Sequence, residues 1–158
     1  MWLIMNRHKD WNLNVKSLTT FDTVEDFWCL YHHMKLPSEL GAGQDYCVFK
    51  AGIRPTWEDP ANKPGGRWLI CVDKRKDRLD AYWLDIVLLM IGENFENNDQ
   101  VRGAVVNVRD RSKISIWMAD ASKKIENSEV ARKIKMQLRL HNKMHFHAHN
   151  TVINLYNV

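Results

Sequence analysis

VRGAVVNVRDRSKISIWMAD (residues 101–120) holds two runs in which apolar and polar residues alternate, separated by a short polar turn. In the first run Ala104, Val106 and Val108 fall on one face, and Asn107 and Arg109 on the other. In the second, Ile114, Ile116 and Met118 oppose Lys113, Ser115 and Trp117. The turn between Arg109 and Lys113 joins the two runs as an antiparallel hairpin. Upstream, GGRWLICVD (residues 65–73) repeats the design, with Trp68, Ile70 and Val72 opposite Arg67 and Cys71. Three strands therefore offer one apolar face for helices and one polar face for water. The architecture expected is an antiparallel sheet covered by helices on one side only. Its open face should carry Arg67, Asn107, Arg109, Lys113 and Trp117, with Trp117 facing solvent among the cations.

Outward from that sheet, further strands are predicted at Trp2–Met5, Val15–Phe21, Tyr46–Lys50 and Met144–His149, beside Arg67–Asp73, Arg102–Arg109 and Lys113–Asp120. Helices are predicted at Thr23–Lys35, Leu79–Phe95 and Ser128–His141, the first capped by Asp22 with Glu25 closing a capping box. No repeat or linker interrupts the 158 residues, so residues 1–158 read as one α+β domain. The charge balance of 23 basic to 19 acidic residues suits an anionic partner. Three widely spaced cysteines without a CxxC pair indicate a reducing compartment. The opening MWLIM lacks the order of a signal peptide, and the longest apolar run, IVLLMIG from Ile86, is too short to cross a bilayer. A soluble intracellular protein of the cytoplasm, and also of the nucleus, is expected, with no membrane partner.

Catalytic signatures are missing: no nucleophile–base pair, phosphate loop or paired carboxylate stands out, so no enzyme and no cofactor are expected. His145, His147 and His149 alternate, but no cysteine or carboxylate joins them, so no metal site is expected. The chemistry lies elsewhere. PTWEDPAN (residues 55–62) is built like a loop by Pro55, Asp59, Pro60 and Asn62, yet it carries Trp57 and Glu58 side by side. Trp11 sits in a second polar stretch, HKDWNLN (residues 8–14). Either indole could fold back as an apolar plug. Two of them, with a carboxylate attached and a basic sheet face nearby, favour a cage. Parallel indoles can sandwich a flat cationic ring through cation–π attraction. A carboxylate at the ring's edge can accept from the N1–H and N2 amino group of guanine, and Arg and Lys can take phosphates. The ligand inferred is a cationic guanine carrying several phosphates. A methyl-lysine reader is the alternative cage of another class, and Glu58→Gln would discriminate, because an ammonium cage tolerates it better.

The helix 79–95 is apolar almost all round, and Leu84/Leu88 and Val24/Trp28 form i, i+4 pairs beside Asp85 and on the first helix. The pattern leaves two readings open, deep burial or a partner site.

FDTVEDFWCLYHHM (21–34), DYCVFKAGIRPTWED (45–59), GGRWLI (65–70), WLDIVLLMIGENF (83–95) and GAVVNVR (103–109) resemble the eukaryotic cap-binding translation initiation factor 4E family. The likeness runs from Trp2 to Trp117 and keeps the tryptophan spacing. The resemblance implies a cupped antiparallel sheet with about three helices on its convex face, holding the 7-methylguanosine cap of mRNA on the concave side. By position it implies that Trp11 and Trp57 stack on the base, Glu58 reads its guanine edge and Trp117 contacts the methyl group. Arg109 and Lys113 would meet the phosphates, with Arg67 nearby. It further implies that Val24, Trp28, Leu84, Asp85 and Leu88 bind a helix of a 4G-type scaffold factor or of a 4E-binding repressor protein. Two roles follow: a factor recruiting capped mRNA to the scaffold, or a competitor that holds the cap but binds scaffold weakly. Departures are local. The loop before Lys113 is one residue short, leaving Arg111 without a counterpart, and KRKDRLD (74–80) is two residues short. After Leu140 the likeness fades. The flexible arm and His-Pro-Leu stretch that precede the family's first strand are not matched, and that stretch would border the partner groove.

Overall fold

The alternation around residues 101–120 is expressed as two antiparallel strands, β5 (Val101–Asn107) and β6 (Ser112–Met118), with Asn107 opposite Lys113 and Val106 opposite Ile114. The computed structural model that shows this describes residues 1–5, 11–72, 76–150 and 154–158. On the other side of β6 lies β4 (Gly66–Val72), with Trp68 opposite Ile116 and Arg67 opposite Trp117. Adding β1 (Trp2–Ile4), β2 (Val15–Ser17), β3 (Asp45–Phe49), β7 (His145–Ala148) and β8 (Asn154–Asn157) completes an eight-stranded sheet. Its order is β2-β1-β3-β5-β6-β4-β7-β8, every pairing is antiparallel, and the sheet is curved.

Beside a single turn, α1 (Trp11–Asn14), three longer helices cover the apolar face: α2 (Val24–His33), α3 (Lys76–Ile91) and α4 (Lys124–Leu138). The core joins Val106, Trp68, Ile116 and Met118 of the sheet to Phe27, Trp83, Ile86 and Ile134 of the helices. Burying the polar end of Trp68 requires a partner. Its indole N–H donates to the carbonyl of Asn127 at 3.0 Å, which ties α4 to β4. Among the described residues, no helix is long and apolar enough to cross a membrane.

Several expectations need correction. The cap of α2 is Thr23, whose hydroxyl oxygen accepts from the Asp26 N–H at 3.1 Å, and not Asp22, which lies one residue too early to reach that donor. Helix α3 stops at Ile91, because Gly92 and Glu93, the latter with φ +48°, turn the chain away before Phe95. Strand β8 was not foreseen, since NLYN shows too little alternation; it pairs with β7, and Tyr156 stacks on Phe146 at 4.7 Å.

The open face is also not given wholly to water. Ile4, Cys47, Phe49, Val105 and Trp117 form a second apolar cluster there, with Trp2, Val15 and Ile53 packed against it. Trp117, expected to face solvent, is only 6% exposed. The period that places Asn107 on this face places Val105 there too, and the ring of Phe49 lies directly over Gly103, where no side chain intervenes. Polar residues therefore occupy only part of the face.

Candidate functional site

The loop between β3 and β4 is braced by the residues that keep it irregular. Asn62 is fully buried, and its side-chain amide donates to the carbonyls of Arg54 and Thr56, both at 2.9 Å. The Asp59 carboxylate accepts from the backbone N–H groups of Arg54 and Ala61, each at 2.9 Å. Pro55 is buried beneath them. Trp57 and Glu58 are left at the apex, and Trp57 is 53% exposed. An indole in that state is held out by its backbone rather than by packing. We expect Asn62→Ala to cost about 1–2 kcal/mol of folding stability, since two carbonyls lose their donor. Urea unfolding measures that loss, and ligand affinity should fall with it as the loop loosens.

Beneath the apex is a cavity of about 380 Å³, a size typical of small-ligand sites. Trp57, Glu58, Arg67, Asn107 and Trp117 all line it, together with Asp45. The sheet register explains the gathering: Arg67 and Trp117 are cross-strand partners, and Asn107 pairs with Asp45. Past the cavity, Arg109 lies in the β5–β6 turn and Lys113 near the start of β6, opposite Asn107. The Arg109 guanidinium donates to both oxygens of the buried Asp45 carboxylate, at 2.6 and 3.2 Å, and to the Val108 carbonyl at 2.7 Å. This two-point grip fixes its orientation and leaves donor edges for an anion. Lys113 and Arg111 are exposed.

Trp117 forms the floor. Its ring lies 4.3 Å from the imidazole of His149, and the indole Nε1 is buried with no partner among the described residues. Burial, and then the charge of Arg67, push His149 down to about 4. That ring is therefore neutral at pH 7 and sets no positive charge against a cationic ligand. Because its folded value lies below the ordinary one of 6.5, the stability linked to neutral His149 is present above pH 6.5 and is lost as the pH falls toward 4. Trp11, expected to complete the cage, begins α1 at the β1–β2 end of the sheet, but its side chain lies outside the described residues.

The partner-site candidates sit on the helix side. Val24 is 63% exposed, while Trp28, Leu84, Asp85 and Leu88 are half-buried. Trp28 meets Phe27 and Tyr31 edge-on, at 5.1 and 5.7 Å. Tyr31 in turn is within electrostatic reach of Asp80 on α3. The open readings of this stripe, core or surface, both apply in part: one edge packs and the other faces out.

Three contributors escaped the sequence reading: Asp45, Asn62 and His149 as neighbours of the site. Asp45 was accessible in principle, because a carboxylate opening a buried strand needs a cation, and Arg109 lies just beyond Asn107, its partner across the pairing. Among the described residues, no group of three His, Cys, Asp or Glu side chains is arranged to hold a metal.

Comparison with known proteins agrees with this geometry. The family model described as eukaryotic initiation factor 4E matches residues 1–157. A Drosophila melanogaster relative, eukaryotic translation initiation factor 4E1, is 50% identical over 143 residues, covering 89% of this chain and 55% of its own. The chain thus spans little more than half of that relative. An Ascaris suum eIF4E-3 solved with m7G cap superposes with a TM-score of 0.94 at 40% identity, covering 99% of this chain and 92% of its own. The Caenorhabditis elegans eIF4E-3 solved with the 4E-binding protein Mextli gives 0.91 at 39%, covering 98% and 94%. With a family model matched over nearly its whole length and a tryptophan cavity on the open side of an eight-stranded sheet, this chain belongs to the eukaryotic initiation factor 4E family.

Proposed function

We propose that this chain binds the 7-methylguanosine cap of mRNA on the open face of its sheet. The observation that carries this is the gathering of Trp57, Glu58, Arg67 and Trp117 around one cavity, with Arg109 and Lys113 beyond it. Trp57 supplies one face of the stack and Trp11 the other. The exposed Glu58 carboxylate accepts from N1–H and the N2 amino group. Trp117 bounds the methyl group, and neutral His149 behind it adds no repulsion. Arg109, oriented by Asp45, and Lys113 take the phosphates, with Arg67 at the near end. The relatives solved with m7G cap and with Mextli support both ligand and partner class. On the helix side, Val24, Trp28, Leu84, Asp85 and Leu88 receive an amphipathic helix from a scaffold factor or a 4E-binding repressor. Three free cysteines, two of them exposed, suit a reducing cytoplasm.

Lys113→Ala should weaken binding of 7-methylguanosine triphosphate by about 1 kcal/mol and reduce the salt slope by about 1, as expected for one lost phosphate contact. Titration at several salt concentrations checks it. A wild type that binds the monophosphate as tightly as the triphosphate would give the basic turn another purpose.

A further inference from the structure

Ser115 lines the cavity and is only 2% exposed, yet among the described residues its hydroxyl makes no hydrogen bond. Burying a hydroxyl without a partner costs free energy, and buried polar groups are rarely left in that state. Alanine would fill nearly the same space in the middle of β6 without the cost. Packing therefore does not account for the oxygen.

Strand register fixes what surrounds it. Along β6, Lys113 and Trp117 lie two residues away in either direction and on the same face, each about 7 Å off. Ser115 itself stands opposite Val105 of β5 and Leu69 of β4. On the diagonals are Asn107, which pairs with Lys113, and Arg67, which pairs with Trp117, each about 7–8 Å away. Ser115 thus occupies the midpoint between the ring that bounds the methylated base and the side chain that takes phosphates. A nucleotide spanning the two must carry its first phosphate over this point, because ribose and then the α-phosphate follow the base. Of the two carboxylates that line the cavity, Asp45 is engaged by Arg109 and Glu58 sits at the loop apex. We propose that the Ser115 hydroxyl donates to an oxygen of the cap's α-phosphate, which makes Ser115 the residue that senses the first phosphate. The proposal rests on the cap-binding reading above and deepens it.

A serine suits this place for two reasons. Its hydroxyl rotates to meet the acceptor, and a bond to an anionic oxygen is short and about twice as strong as a neutral one. It also carries no charge. A lysine at the same point would set a further positive charge beneath a base that is itself cationic, whereas a neutral donor meets the phosphate without repelling the base. Ser115 and Lys113 should therefore leave different signatures. The hydroxyl releases no counterion and answers to the first phosphate alone, while the ammonium depends on salt and on the phosphates beyond it.

The test titrates 7-methylguanosine, its monophosphate and its triphosphate against wild type, Ser115→Ala and Ser115→Cys, with urea unfolding of each protein. Ser115→Ala should bind the monophosphate and the triphosphate about tenfold more weakly, as expected for one lost hydrogen bond to a charged group. It should bind the nucleoside as wild type does. Its salt slope for the triphosphate should equal that of wild type, and its stability should not fall, since it removes a hydroxyl that the fold leaves unpaired. Ser115→Cys, a weaker donor of similar shape, should lose less than Ser115→Ala. An equal loss for the nucleoside, a loss confined to the triphosphate, or no loss for either nucleotide overturns the assignment. A fall in the stability of Ser115→Ala overturns it as well, because the hydroxyl would then serve the fold. Failure of wild type to bind any of the three ligands overturns the cap reading itself.

Discussion

Trp57→Ala should lower affinity for 7-methylguanosine triphosphate by about 3 kcal/mol, on the order of a hundredfold. A base–aromatic stack contributes about 1–3 kcal/mol, and a positively charged base held between two indoles lies at the upper end. The side chain is 53% exposed, so its removal opens no cavity in the core. The loop beneath it is held by Asn62 and Asp59, whose bonds do not involve the indole. Folding stability should therefore stay within about 0.5 kcal/mol of wild type, as for most surface substitutions. Isothermal titration and urea unfolding on one preparation separate the two quantities. A loss of stability matching the loss of binding would make Trp57 a structural plug.

Trp28→Ala should do the reverse. Interface energy concentrates in a few aromatic anchors, so loss of this one should cost about 2–4 kcal/mol of binding to a scaffold-derived helix. Trp28 touches Phe27 and Tyr31 but packs only against the margin of the main core, which leaves the variant folded. It lies across the sheet from the cavity, and cap affinity should hardly change. Paired pull-downs, one on cap resin and one on a scaffold peptide, read both sites at once. A folded Trp28→Ala variant that loses the cap would make Trp28 part of the core. A wild type that holds cap resin and ignores every scaffold peptide would favour the competitor role.

What could be read in advance follows from how each residue is constrained. Ala104, Val106, Ile114, Ile116, Met118 and Trp68 were legible because strand periodicity alone sends them to one face, and the core takes them all. The same rule misjudged Trp117, because periodicity names a face without saying what covers it. Ile4 and Phe49 cover this one, and they arrive from β1 and β3. Asn62 looked like a loop breaker and is a brace, since its amide needs two carbonyls that only the folded loop brings together. Asp45 and Arg109 are 64 residues apart, and their pairing depends on strand register that no local pattern records. Thr23 and Asp22 differ by one position, the scale on which capping is hardest to place from sequence.

The most direct measurement compares 7-methylguanosine triphosphate with guanosine triphosphate by quenching of tryptophan fluorescence. Methylation puts a positive charge on the base and changes little else, so the comparison isolates the interaction between a cationic ring and the indoles. Cation–π attraction of about 2 kcal/mol in a desolvated stack gives the methylated ligand roughly 30-fold tighter binding, with strong quenching from Trp57. Equal affinity for the two nucleotides would contradict the account, whatever else the basic face binds.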